Sequence, residues 1–205
     1  MKKIGLIDYG MGNIHSVERS IENLGEEVLL INHKVQFKQC KAIVIPGQGA
    51  FDPAIQNLTE TGLIQEVKDW IYEGKSFLGI CLGLQLLFDE SDEGSQKGLG
   101  IIKGNVKKIP NIETQRIPHI GWCNLIPTKE SNLIIDDSRD SNWVYFDHSY
   151  YINPYDKNLI SAEVEYGSFK LAAIIEDGNL VACQFHPEKS GRTGELLLRR
   201  WINNI

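Results

Sequence analysis

Apolar residues change their spacing along this chain in a repeating way. Lys3-Ile4-Gly5-Leu6-Ile7-Asp8 is a short, mostly apolar run that ends on a carboxylate, and Tyr9-Gly10-Met11-Gly12-Asn13 reads as the turn after it. Asn13 is placed to cap a helix with Ile14, Val17, Ile21 and Leu24 on one face, and Gly25 stops that helix. Residues 28–31 predict a second strand and Ala42–Ile45 a third, which ends at Pro46-Gly47-Gln48-Gly49. A helix carrying Ile64, Val67 and Ile71 leads to Gly74. Ser76–Ile80 then predicts another buried strand that runs without a loop into a helix-like stretch, residues 82–88, with Cys81 at the corner. Such switching between period two and period 3.6 marks parallel β/α units joined by right-handed crossovers.

After about residue 98 the character changes. Residues 98–109, 116–125, 143–151, 159–166, 169–175 and 180–185 read as strands joined by polar turns, and antiparallel pairing is expected among them. Residues 194–202 are amphipathic through Leu196, Leu197, Leu198 and Trp201 and should pack back on the sheet. Residues 129–142 form the most polar insertion and are expected to be a mobile loop. With no repeat, low-complexity tract or linker, the expectation is an α/β chain, a mostly parallel twisted sheet flanked by helices with additional antiparallel strands in the C-terminal half, forming one domain over residues 1–205.

Composition narrows the function. A chain of 205 residues buries about 70% of its extended surface, so neither a disulfide nor a structural metal is required for a core. With 21 Lys and Arg against 27 Asp and Glu, the net charge is −6, which argues against nucleic acid or a membrane surface as partner. No apolar stretch approaches the roughly 18 residues of a spanning helix, and the first run is too short for a signal peptide, so a cytoplasmic location is expected. Cys40, Cys81, Cys123 and Cys183 contain no C-x-x-C pair and read as reduced thiols, each a small buried hydrophobe or a reactive group.

Cys81 has the strongest claim to chemistry. Gly79-Ile80-Cys81-Leu82-Gly83 has the form G-x-nucleophile-x-G, in which small flanking residues permit a sharp strand-to-helix turn that pushes the central side chain outward. There the sulfur would sit at a helix start, where unpaired amide N–H groups favour a thiolate, and Leu82 would offer its N–H to an oxyanion. A thiol needs a base. Strand alternation puts Leu180, Ala182, Gln184 and His186 on one face and Val181, Cys183 and Phe185 on the other. His186 therefore emerges at a strand end stopped by Pro187, and Glu188 can return to the same side to orient the imidazole. Cys183 and His186 have C-x-x-H spacing, but positions i and i+3 of a strand face opposite ways, so no metal site is expected. His15 and His33 read as solvated. His148, in Phe146-Asp147-His148-Ser149-Tyr150-Tyr151, is the rival base, and this segment reads as a substrate contact because no G-x-S-x-G corner surrounds Ser149.

Pro46-Gly47-Gln48-Gly49, Gly79-Ile80-Cys81-Leu82-Gly83-Leu84-Gln85 and Gln184-Phe185-His186-Pro187-Glu188 resemble, in order, the oxyanion strand, nucleophile elbow and His/Glu dyad of class I, triad-type glutamine amidotransferases. Asp8-Tyr9-Gly10-Met11-Gly12-Asn13, Pro118-His119-Ile120-Gly121-Trp122, His148-Ser149-Tyr150-Tyr151 and His186-Pro187-Glu188-Lys189-Ser190 are similar to the glutaminase subunits of imidazole glycerol phosphate synthases, of histidine biosynthesis. The resemblance runs from residue 4 to the C-terminal helix and implies a flavodoxin-like sheet. It implies that Cys81 attacks the glutamine side-chain amide, that His186 takes and returns a proton, and that Glu188 orients His186. It also implies an oxyanion hole from the Leu82 N–H and an N–H of the Gln48-Gly49 segment, and a glutamine pocket lined by Gln85, His148, Ser149 and Tyr150. No cofactor and no metal are expected. The partner would be a (β/α)₈ cyclase subunit in a heterodimer, receiving ammonia through a tunnel, with Asn13, Trp122 and Lys189 on the docking surface. For Trp122 and Ile120, simple core packing is the competing reading. Three positions depart from the family pattern: Gln48 stands where Val is common, Asp147 where an apolar residue is usual, and Cys123 where Asn is usual. They leave room for a paralogous subunit that feeds ammonia to a sugar-amidinating enzyme. A cysteine peptidase or esterase on the same elbow, and a binding protein with a dead site, are the further alternatives.

Overall fold

The switches of hydrophobic period become alternating strands and helices in a computed structural model, which describes residues 1–113, 115–129, 131 and 142–205. In chain order the first half runs β1 (Lys3–Ile7), α1 (Ile14–Glu22), β2 (Glu27–Ile31), β3 (Ala42–Ile45), α2 (Phe51–Glu60), α3 (Ile64–Tyr72), β4 (Ser76–Ile80) and α4 (Leu82–Gln85). The second half runs β5 (Glu90–Ser91), β6 (Gly104–Lys108), β7 (His119–Asn124), β8 (Ile126–Pro127), β9 (Trp143–His148), β10 (Tyr150–Pro154), β11 (Ile160–Tyr166), β12 (Phe169–Asp177), β13 (Leu180–Cys183) and α5 (Gly191–Asn203). The main sheet has the order β2-β1-β3-β4-β13-β12-β11-β8. Its first five strands are parallel and the rest antiparallel. An order of 2-1-3-4-5 is that of a doubly wound flavodoxin-like sheet, whose ligands bind beyond the carboxyl ends of the strands.

Alternation along the strands builds two cores. Ile43 and Ile45 of β3 and Phe77 of β4 face α2 and α3, packing on Phe51, Leu58, Val67 and Trp70. Ala42, Val44, Leu78 and Ile80 face the other way, toward Val17 and Ile21 of α1 and Leu197, Leu198 and Trp201 of α5. Both faces of the parallel strands are thus covered, as all-apolar strands require. α1 begins where the sequence places it: the Asn13 side chain accepts from the Ser16 N–H at 3.3 Å.

Four elements differ from the sequence expectation. The helix-like stretch after Cys81 is a single turn, because Leu86 and the residues after it leave the helix and reconnect through Leu99 N–H to Leu86 O and Ile101 N–H to Leu87 O. α2 is an extra helix, buried through Phe51, Ala54, Ile55 and Leu58. Of residues 98–109 only Gly104–Lys108 is strand. The run 143–151 is two strands broken at Ser149: β9 pairs with β7 in a two-stranded ribbon, and β10 pairs with β6 in a separate sheet. The loop expected at 129–142 lies, apart from residues 129, 131 and 142, outside the described residues.

Candidate active site

β4 and β13 are adjacent and parallel, with Ile80 opposite Cys183. This register brings the nucleophile corner and the His-Pro-Glu segment to the same carboxyl edge of the sheet, and the Cys81 N–H donates to the Cys183 carbonyl at 2.7 Å. Cys81 takes φ 53°, ψ −106°, and among the described residues it alone combines a side chain with positive φ. Such backbone is strained for an L-residue and persists only where the surroundings impose it. They do so here by close approach: a Cβ on Gly83 would lie 2.0 Å from the Ile45 carbonyl oxygen, and one on Gly47 would lie 2.6 Å from the Leu82 Cβ. The elbow is pressed directly against the end of β3, which only glycine at these positions allows.

His186 Nδ1 and Glu188 Oε1 are 2.8 Å apart, and both side chains are 2% exposed. The imidazole is further anchored through its backbone: its N–H donates to the Tyr145 carbonyl at 3.0 Å, and its carbonyl accepts from the Ser190 hydroxyl at 2.6 Å. Nε2 has no hydrogen-bond partner of ordinary geometry among the described residues. Burial pushes the His186 pKa down, but hydrogen bonding and charge from Cys81 and then from Glu188 outweigh it and lift the pKa to about 10. Cys81 and His186 thus follow the ends of adjacent strands with Nε2 left unpartnered, a common state before substrate aligns an acid–base pair. The Gln184 amide also reaches the sulfur, donating from Nε2 at 3.7 Å.

The sulfur opens into a cleft of about 350 Å³ lined by Gln48, Gly49, Leu82, Gln85, Pro118 and Asp147 together with Glu93, His148, Ser149 and Tyr150. All the residues expected at the oxyanion hole and glutamine pocket thus meet around Cys81. Gln85 is 4% exposed and donates to the Tyr150 carbonyl at 3.1 Å and to Gln184 Oε1 at 3.2 Å, tying the elbow to the opposite wall. His148 is ill-suited to the rival role of base. Burial, with the neighbouring His119 and His186, outweighs its bond to the Tyr150 carbonyl and takes its pKa down to about 3, and both ring nitrogens already have partners. Residues that the sequence reasoning did not place here are Glu93, Pro118, His119 and the amide of Gln184. Gln184 was legible as a residue on the His186 face, whereas Glu93 arrives from a turn with no periodic signal.

The positions expected on a docking surface lie on one side of the site. Asn13 is exposed at the start of α1, which packs against the turn Pro187–Lys189. Trp122 is 50% exposed, with Tyr145 edge-on to its ring at 6.0 Å, and it lies beside Gly191. Ile120 and Trp143, 58% and 46% exposed, share the outer face of the β7/β9 ribbon with Trp122. The core-packing reading of Trp122 and Ile120 is therefore excluded by their exposure. Among the described residues no helix is long and apolar enough to cross a membrane.

A family model for class-I glutamine amidotransferases matches residues 5–204. The chain is 64% identical to a Prochlorococcus marinus (strain MIT 9312) protein called imidazole glycerol phosphate synthase subunit HisH, over 100% of both chains. It is 46% identical to a protein of the same name from Synechococcus sp. (strain CC9902), over 98% of this chain and 93% of that one. Among solved structures, PurLQS from Thermotoga maritima superimposes with a TM-score of 0.75 at 18% identity, covering 100% of this chain and 99% of that chain, a likeness of fold.

Proposed function

The chain belongs to the class-I glutamine amidotransferase family, and from that premise we propose that it is a single glutaminase domain, the cytoplasmic subunit of an imidazole glycerol phosphate synthase that hands ammonia to a (β/α)₈ cyclase partner in histidine biosynthesis. The observation that carries the reading is that Cys81 lines the cleft at the end of β4 while His186, beyond the end of the adjacent parallel strand β13, holds Glu188 2.8 Å from its imidazole. Relatives that match over their whole length and share one subunit name support the cyclase rather than a sugar-modifying partner.

In the proposed reaction the Cys81 sulfur attacks the side-chain carbonyl carbon of glutamine, and the proton it loses passes to His186. The tetrahedral oxyanion points at the Leu82 N–H, which at the first position of α4 has no acceptor within its helix, and at an N–H of the Gln48-Gly49 segment. Removal of one such donor costs about 10²-fold or more. When the carbon–nitrogen bond breaks, His186 returns the proton to the leaving nitrogen and ammonia departs, leaving a glutamyl thioester on Cys81. Water, deprotonated by His186, attacks the thioester and glutamate leaves. Glu188 holds the ring through Nδ1, so that Nε2 is the nitrogen that moves protons. Gln85, His148, Ser149 and Tyr150 form the wall that grips the glutamine. Gly49 takes φ 126° in the exposed loop after β3, so its peptide is free to reorient toward the oxyanion when the partner is loaded.

Asn13, Trp122 and Lys189 form the face offered to the cyclase. The test measures glutamate release by the purified chain with and without the cyclase subunit and its ligand. Stimulation by the loaded cyclase is expected. Cys81→Ala should abolish glutamine-dependent synthesis by the complex and spare ammonia-dependent synthesis; loss of both, or stimulation only by a sugar-modifying partner, overturns the proposal. A glutamine-analogue electrophile should label Cys81, and labelling by peptide or ester probes instead would favour a peptidase.

A further inference from the structure

Behind the cleft wall, on the inner face of the β7/β9 ribbon, lies a chain of hydrogen bonds that the catalytic reading does not use. His148 Nδ1 is 2.8 Å from the Tyr150 carbonyl, its Nε2 is 3.2 Å from His119 Nδ1, and His119 Nε2 is 3.2 Å from the Cys123 sulfur. The Tyr150 carbonyl that ends the chain is the one that also accepts from Gln85. His119 is 6% exposed, stacks on Phe146 with ring centroids 4.9 Å apart, and packs on Tyr166 at 5.0 Å.

The direction of every bond is fixed. A carbonyl only accepts, so His148 carries its proton on Nδ1, and as a neutral ring it accepts at Nε2. His119 must then donate from Nδ1 and accept at Nε2, which leaves the Cys123 thiol as the donor. The charge states agree: burial lowers His119 and takes His148 to about 3, while burial raises Cys123, so near neutral pH two uncharged imidazoles follow one protonated thiol. Both rings are thereby held in the Nδ1–H form.

We propose that His119 is a positioning residue of the glutamine pocket, locked by the half-buried thiol of Cys123 and in turn locking His148 and the Tyr150 carbonyl, so that position 123 tunes the grip on glutamine from behind the wall. Without the thiol, His119 keeps its Nδ1–H because His148 Nε2 still accepts from it, but its Nε2 is left with no donor and the ring loses the contact that holds it from behind. The wall that holds Ser149 and Tyr150 would lose its fixed geometry, while the Cys81–His186–Glu188 group on the main sheet would keep its own.

This inference rests on the glutaminase reading, and two measurements separate their fates. In the complex with its partner, Cys123→Ala should raise KM for glutamine roughly fivefold with kcat nearly unchanged, the size of one lost neutral hydrogen bond. Cys123→Ser, which keeps a donor, should restore KM; His119→Leu should match or exceed the alanine variant, and His119→Asn, with an amide N–H near the Nδ1 position, should recover most of the loss. A purely structural role would instead lower the amount of active enzyme with KM unchanged, and that result, or a wild-type KM in both Cys123→Ala and His119→Leu, overturns the proposal. Nitrogen-15 NMR of the imidazoles in the full chain tests it even if no glutamine is turned over. His119 and His148 should both show the Nδ1–H tautomer, and in Cys123→Ala the unprotonated Nε2 of His119 should shift as it loses the hydrogen bond it accepts, the tautomer being kept. Wild-type rings in the Nε2–H form refute it.

Discussion

Replacing the nucleophile by glycine is expected to make the protein more stable than replacing it by alanine, the reverse of the usual order. Cys81 sits at φ 53°, ψ −106°, outside even the small left-handed region open to L-residues. Holding a side chain there costs about 1–3 kcal/mol, and a position this far from an allowed basin belongs near the upper figure. Alanine keeps the Cβ and therefore the strain; glycine removes both. Against the relief stand the greater freedom of glycine in the unfolded chain, about 0.5–1 kcal/mol, and the loss of one methyl-sized group from a site that is 5% exposed, about 0.8 kcal/mol. The balance favours glycine by about 1 kcal/mol, which for a chain of this size is about 2–4 °C in Tm. The sulfur is absent from both variants, so catalysis and thiol chemistry cancel. Scanning calorimetry of the two proteins side by side reads the difference. If the glycine variant melts below the alanine variant by the ordinary degree or more, the corner is not strained and the account of how the sulfur is held outward fails.

Four further outcomes follow from the geometry. Glu188→Gln should lower glutaminase kcat by about 10²-fold or more while ammonia-dependent synthesis by the complex persists, since only the orientation and basicity of His186 are lost; equal loss of both activities would point to misfolding. His186 is raised from 6.5 to about 10, so its contribution to folding is complete below pH 6.5 and disappears as the pH rises through 10. Urea denaturation across that window should show wild type losing stability more steeply than His186→Gln, and parallel curves would count against the shift. Gly83→Ala places a Cβ 2.0 Å from the Ile45 carbonyl oxygen and should cost about 3 kcal/mol or more, seen as a large fall in Tm; a neutral result would mean that the elbow does not press on β3. Trp122→Ala should weaken the complex with the cyclase about 30-fold by calorimetric titration, as aromatic anchors at interface centres do, and an unchanged Kd would remove Trp122 from the interface.

The parallel core was legible because its strands are short runs of Ile, Val and Leu buried on both faces, a pattern that needs no tertiary information. The placement of Cys81 at a corner and of His186 at a strand end was legible for a related reason. The glycines around Cys81 and the proline after His186 are local signals of a sharp corner and a strand end, and they fix where the side chains emerge. What stayed hidden depends on contacts between distant segments. Residues 143–151 look like one strand, and nothing local shows that Trp143–His148 finds β7 while Tyr150–Pro154 finds β6, leaving Ser149 as the break between them. α2 was overlooked although Phe51, Ala54, Ile55 and Leu58 have helical spacing; Pro53 in the first turn reads as a breaker but is tolerated there. The short turn of α4 ends early because Leu86 and Leu87 are claimed by Leu99, Ile101 and Ile102, a pairing across more than ten residues. His119 stood inside a family-like motif, but nothing local showed that it faces His148 across the ribbon.

The ribbon formed by β7 and β9 is one peptide layer thick, with Ile120, Trp122 and Trp143 on its outside and His119, Cys123 and His148 on its inside. On the proposed reading, substrate grip and subunit recognition are two sides of one plank. Substitutions on the outer face that accommodate a changed partner subunit should then leave their trace in how tightly glutamine is held.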